Sequence, residues 1–108
     1  YVEEIEKEFA SAEAASATGN AGKARVCARR AAGIALAWFA SRYPRPGWRT
    51  DALSMLLGLR EDGDFPETVQ RAAVRLTTKV NDRFAYAFSE RPVDDARIIV
   101  QAVLERMA

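Results

Sequence analysis

Apolar residues recur along this chain at intervals of three and four, and no window alternates with a period of two. That pattern predicts helices and no strands. Val2, Ile5, Phe9 and Ala12 form the first stripe, with glutamates between them, so a first helix is expected as far as Thr18. Gly19 suits the left-handed position that closes a helix, since it carries no Cβ to clash there. Asn20 then offers a side-chain oxygen to the free N–H groups of a second helix. That helix, Ala21 to Tyr43, is the longest predicted element, mostly Ala with Val26, Ile34, Leu36, Trp38 and Phe39. Apolar residues surround its second half, which predicts burial on several sides. Gly33 costs about 1 kcal/mol against Ala in a helix interior, and close approach of a neighbouring helix is the expected compensation.

Pro44, Pro46 and Gly47 break this helix. Thr50 or Asp51 is expected to cap a short helix bearing Leu53, Leu56 and Leu57. Glu61 to Asp64 read as a turn, and Asp64 with Glu67 has the spacing of a capping box, with Pro66 in the first turn. Val69, Ala73, Leu76 and Val80 mark a third long helix. The aromatic segment Phe84 to Phe88 follows, and the helix either continues to Ser89 or kinks near Asn81. Pro92 starts a last helix with Asp94 and Asp95 in its first turn, where carboxylates complement the helix dipole. Its stripe is Ala96, Ile99, Val100, Val103 and Met107, with Leu104 beside it. The expectation is an all-α, antiparallel, up-and-down bundle of four to five helices, one domain over residues 1–108.

Composition narrows the chemistry. A chain of 108 residues buries roughly two-thirds of its unfolded surface, so a core needs no staples. The single cysteine, Cys27, cannot form an internal disulfide. The longest apolar stretch, Ala31 to Ala40, is about half of what a bilayer span requires, and no basic segment leads into an apolar run at the start. The expected location is the cytoplasm, with no membrane partner. Net charge is +1 but segregated: residues 1–19 hold five acids and one base, and residues 20–50 hold seven bases and no acid. Either the acidic helix neutralises the basic one, or the bases form an anion-binding face.

The absence of histidine removes Ser-His and Cys-His pairs and most transition-metal sites. Cys27 stands near Arg29 and Arg30, yet without a base partner it reads as a small core residue. Gly19 to Lys23 lacks the spacing and the preceding strand of a phosphate-binding loop. A helix N-terminus with Gly22 and Lys23 can nevertheless hold an anion through free N–H groups and one ammonium. The candidate anion or nucleotide contacts are Lys23, Arg25, Arg29 and Arg30. Arg25 and Arg29, four apart, share one helix face, and Lys23 and Arg30, seven apart, share another. They make no single flat patch, which favours a small phosphate ligand or internal salt bridges over a duplex. The pairs Asp62 with Asp64 and Asp94 with Asp95 read as turn and cap residues, so neither metal nor cofactor is expected. Trp48, Tyr86 and Phe88 are candidates for a subunit interface.

The whole layout resembles the HEPN superfamily (higher eukaryotes and prokaryotes nucleotide-binding domain). A first helix ends at Gly19-Asn20, and a long Ala-rich helix runs through Ala24 to Leu36. A Pro-containing break, a short Leu-rich helix, a third long helix and an aromatic segment follow. Ser89 to Ala96, reading SERPVDDA, enters the last helix. The resemblance implies a helical bundle, often homodimeric, working with a nucleotidyltransferase or other protein partner, or acting on RNA. The ribonuclease branch carries an Arg followed within a few residues by His. Arg83 stands in a plausible place for that Arg, while Phe88, Ser89 and Glu90 stand where the His should fall. The resemblance therefore points to a non-catalytic member that binds a nucleotide, RNA or other anion, with Arg83 a further candidate contact. Two alternatives stay open: an RNA-acting enzyme using Arg83 with Glu90 or Tyr86, and a structural adaptor that binds protein through its aromatic residues.

Overall fold

Helix α1 (Val2–Ala17) forms where its apolar stripe does, with Glu3 and Glu4 in its first turn and Ile5, Phe9, Ala12 and Ala15 buried. Val2 departs from the expected stripe and is 55% exposed. It occupies the first helical position, and the ring of its neighbour Tyr1 stacks on Trp38 instead, centroids 5.0 Å apart. The end of α1 follows the local chemistry. Gly19 takes φ 78°, and the N–H groups of Gly19 and Asn20 donate to the carbonyls of Ser16 (3.1 Å) and Ala15 (2.8 Å). These bonds occupy carbonyls that the helix end leaves free. One residue later the Asn20 side chain accepts from the Lys23 N–H at 3.1 Å and opens α2 (Ala21–Arg42).

The computed structural model describes residues 1–78 and 91–108, and all regular structure among them is helical. None of these helices is long and apolar enough to cross a membrane. Val80, Arg83, Phe84, Tyr86, Phe88 and the expected passage to Ser89 lie outside the described residues.

Helix α2 packs against α1, against α3 (Ala52–Arg60) and against α5 (Pro92–Met107). Its buried positions are nearly all small: Ala24, Cys27, Ala28, Ala31, Ala32, Gly33 and Ala35, before Leu36 and Phe39 close the lower end. The tightest approach is at Gly33, where a Cβ would stand 2.6 Å from Ala52 Cβ and 3.2 Å from Ala52 Cα. A glycine that weakens the helix is retained because α3 begins against it.

Asp51, in extended conformation, caps α3 by accepting from the Ser54 N–H at 2.9 Å. The buried face of α3 is Met55, Leu56 and Leu59, whereas Leu53 and Leu57 are 45% and 41% exposed. The sequence placed Leu53, Leu56 and Leu57 on this helix without choosing its buried face. Apolar residues surround so short a helix almost completely, so spacing alone did not select a side, and contact with Gly33 did. Gly58 faces the indole of Trp48, whose Nε1 and Cδ1 would collide with a Cβ there. Trp48 in turn lies against Phe39, ring centroids 6.4 Å apart.

Helix α4 (Glu67–Thr77) buries Val69, Ala72, Ala73 and Leu76 against α3 and α5. The expected capping box does not form. Pro66 is the N-cap residue and makes no side-chain bond there. Asp64 is drawn away by Arg45, Nη1 to Oδ2 2.7 Å, and its N–H donates to Asp62 Oδ1 at 2.9 Å. Phe65, rather than a polar cap, is buried at this corner, edge-on to Phe39 at 5.5 Å. Helix α5 begins with Pro92 in its first turn and buries Ala96, Ile99, Val100 and Val103 as expected.

Replacing Gly33 by Ala tests the α2–α3 contact. Helix propensity alone would stabilise the protein by up to about 1 kcal/mol. Overpacking against Ala52 is expected to win, for a net loss of about 1–2 kcal/mol, or a melting temperature roughly 4–15 °C lower by circular dichroism. A melting temperature that stays level or rises would mean that the two helices have room to separate.

Candidate anion-binding face

Basic residues of α2 divide by environment. Lys23 and Arg30 are exposed, and neither has a carboxylate partner among the described residues. Seven residues apart, they stand two helical turns from each other on one face, about 10 Å along the axis. Arg25 and Arg29 lie on the other face and are half-buried. Arg29 has a structural partner: its Nε donates to the carbonyl oxygen of Leu76 at 2.5 Å. Leu76 belongs to the last turn of α4, whose carbonyls have no partner within the helix. A guanidinium there satisfies one of them and complements the negative end of the helix dipole. Burial lowers the pKa of Arg29, and the nearby charge of Arg25 lowers it further. Burial likewise lowers that of Arg25. Both remain protonated at any physiological pH.

Glu13 of α1 pairs with Arg97 of α5 at 3.2 Å, and the Arg97 guanidinium sits over the Phe9 ring at 4.3 Å. Glu13 of α1 thus reaches α5, which like α1 packs against α2.

One buried ion pair was not anticipated from the sequence. Asp95, in the first turn of α5 as expected, is a buried charge, 7% exposed. It accepts from Arg75 of α4 in a forked arrangement, Nη2 to Oδ1 at 2.7 Å and Nε to the two oxygens at 3.1 and 3.2 Å. The hydrogen bond to Asp95 raises the pKa of Arg75. One signal was present in the sequence: Asp95 precedes Ile99 by four, so it lies on the apolar face of α5 rather than beside it. Its neighbour Asp94 does stay at the surface, paired with Arg91 at 2.8 Å.

A second polar cluster closes the corner before α4. Arg45 reaches Asp64 and, at 3.4 Å, Asp62, and its guanidinium lies 5.3 Å from the centre of the Phe39 ring. Gln70 donates to the Asp62 carbonyl at 2.8 Å. These contacts join the end of α2 to the start of α4, and they account for Asp62 and Asp64 as turn residues. No group of three or more Cys, Asp or Glu side chains among the described residues is arranged to hold a metal ion. Cys27 is buried on the core side of α2. Of the expected interface residues, Trp48 is half-buried against Gly58 and Phe39. Tyr86 and Phe88, like the expected anion contact Arg83 and the possible catalytic residue Glu90, lie outside the described residues.

No family model, no curated protein and no solved structure matches the chain.

Two measurements check these contacts. Asp95→Ala leaves Arg75 without its carboxylate. Removing one member of a fully buried pair costs about 3–5 kcal/mol, and because the Arg75 side chain is 38% exposed the expected loss is smaller, about 1–3 kcal/mol by urea denaturation. A loss below about 0.5 kcal/mol would place this pair with ordinary surface ion pairs. The second concerns acid. The Ser54 N–H holds the Asp51 carboxyl below its usual range, and the Arg45 guanidinium does the same for Asp64. A depressed folded-state pKa contributes stability above the unfolded value, about 3.9, and that contribution is lost as pH falls through the folded value. Asn is as good a cap as Asp but does not titrate. Asp51→Asn should therefore lose less melting temperature than the parent between pH 5 and pH 2, and equal losses would show that the cap is insensitive to charge.

Proposed function

We propose that this chain is a non-enzymatic, HEPN-like helical bundle that binds a phosphate-bearing ligand, a nucleotide or an RNA backbone, through Lys23 and Arg30. The observation that carries the reading is their freedom. Both stand exposed and without a carboxylate partner among the described residues, although the neighbouring helix carries five glutamates. Their spacing of about 10 Å suits two long side chains closing on a polyphosphate or on consecutive backbone phosphates. Gly22 leaves the N-terminus of α2 open, since nothing but the Asn20 side-chain oxygen comes within 4.0 Å of where its Cβ would be. An anion near the first-turn N–H groups would gain from the dipole as well. Arg25 and Arg29 set the potential of the adjoining face, and Arg29 additionally ends α4. The lack of histidine supports a binding role over an RNA-cleaving one.

A protein-binding role, as a homodimer or with a nucleotidyltransferase-type partner, has one observation in its favour: Leu53 and Leu57, four apart on α3, are both exposed. On this reading Leu53→Glu with Leu57→Glu would convert a dimer to a monomer in light scattering, without changing the helical content. A parent protein that is already monomeric alone and stays so with the candidate partner would remove it.

The ligand reading is tested by fluorescence anisotropy with a labelled single-stranded RNA and with a labelled adenosine triphosphate, at two salt concentrations. Lys23→Ala with Arg30→Ala should weaken binding at least tenfold, equivalent to about 1.4 kcal/mol, and leave the melting temperature unchanged. For RNA the dependence on salt should flatten, since each lost phosphate contact removes about 0.7 from the logarithmic slope. Arg29→Ala should instead lower the melting temperature. Absence of binding by the parent protein, or undiminished binding by the double variant, overturns the proposal.

A further inference from the structure

We draw no further inference here: the strongest candidate, the shallow groove between α1 and α5 over Phe9, Val100 and Leu104, is an unpartnered apolar face, and nothing in the structure shows what covers it.

Discussion

The fold depends on how closely other helices approach α2. Three of them, α1, α3 and α5, pack against it. Large side chains on every face would hold those partners off and leave gaps among them. Alanine brings backbones together, so the bulk of the core is supplied by the surrounding helices: Ile5 and Phe9 from α1, Leu56 and Leu59 from α3, Ile99 and Val103 from α5. Dispersion between closely spaced atoms accumulates where no room is left for water. Only at the lower end does α2 contribute bulk of its own, through Leu36 and Phe39. There Phe39 gathers Trp48, Phe65 and Arg45 around one ring.

Helix α4 packs on α3 and α5, farther from that centre, and adds directed polar contacts to its buried apolar face. Arg75 clasps Asp95 of α5, Arg29 of α2 meets the final turn, and Gln70 with the Arg45 cluster fixes the first. Each guanidinium works at a helix end or between helices, where a planar fork matches a carboxylate or a bare carbonyl. Within residues 20–50, Arg29 and Arg45 are thus committed to architecture. Lys23, Arg30 and Arg42 of α2 stay exposed and take part in no carboxylate pair among the described residues.

What could be read from the sequence was decided by how local its cause is. Gly19, Asn20, Asp51 and Pro92 act within a turn of their own position, and each stands where its chemistry put it. Gly33 was legible as a close approach, although its partner Ala52 was not. The misreadings share a tertiary origin. Asp64 had the spacing of a cap, but Arg45, 19 residues away, claims it. Asp95 stands in the first turn of α5 as expected, and what went unread there is that Arg75, 20 residues away, meets it on the buried face. The exposure of Leu53 and Leu57 went unread because a nine-residue helix with apolar residues all round gives periodicity nothing to choose between. For the basic residues, spacing separated Arg25 and Arg29 from Lys23 and Arg30 correctly. It could not say that one of them would end another helix.

The contacts at Gly33 with Ala52, and at Gly58 with Trp48, also constrain how the sequence can drift. In each pair one member has no side chain because the other occupies the space. A bulkier residue at 33 is tolerated only once position 52 has shrunk, and one at 58 only once the indole at 48 has gone. Neither order of events is free, since the intermediate is overpacked in one direction and hollow in the other. Substitutions at these four positions should therefore be inherited two at a time. In diverged copies of this domain they would form covarying pairs that connect α2 with α3, and α3 with the loop preceding it.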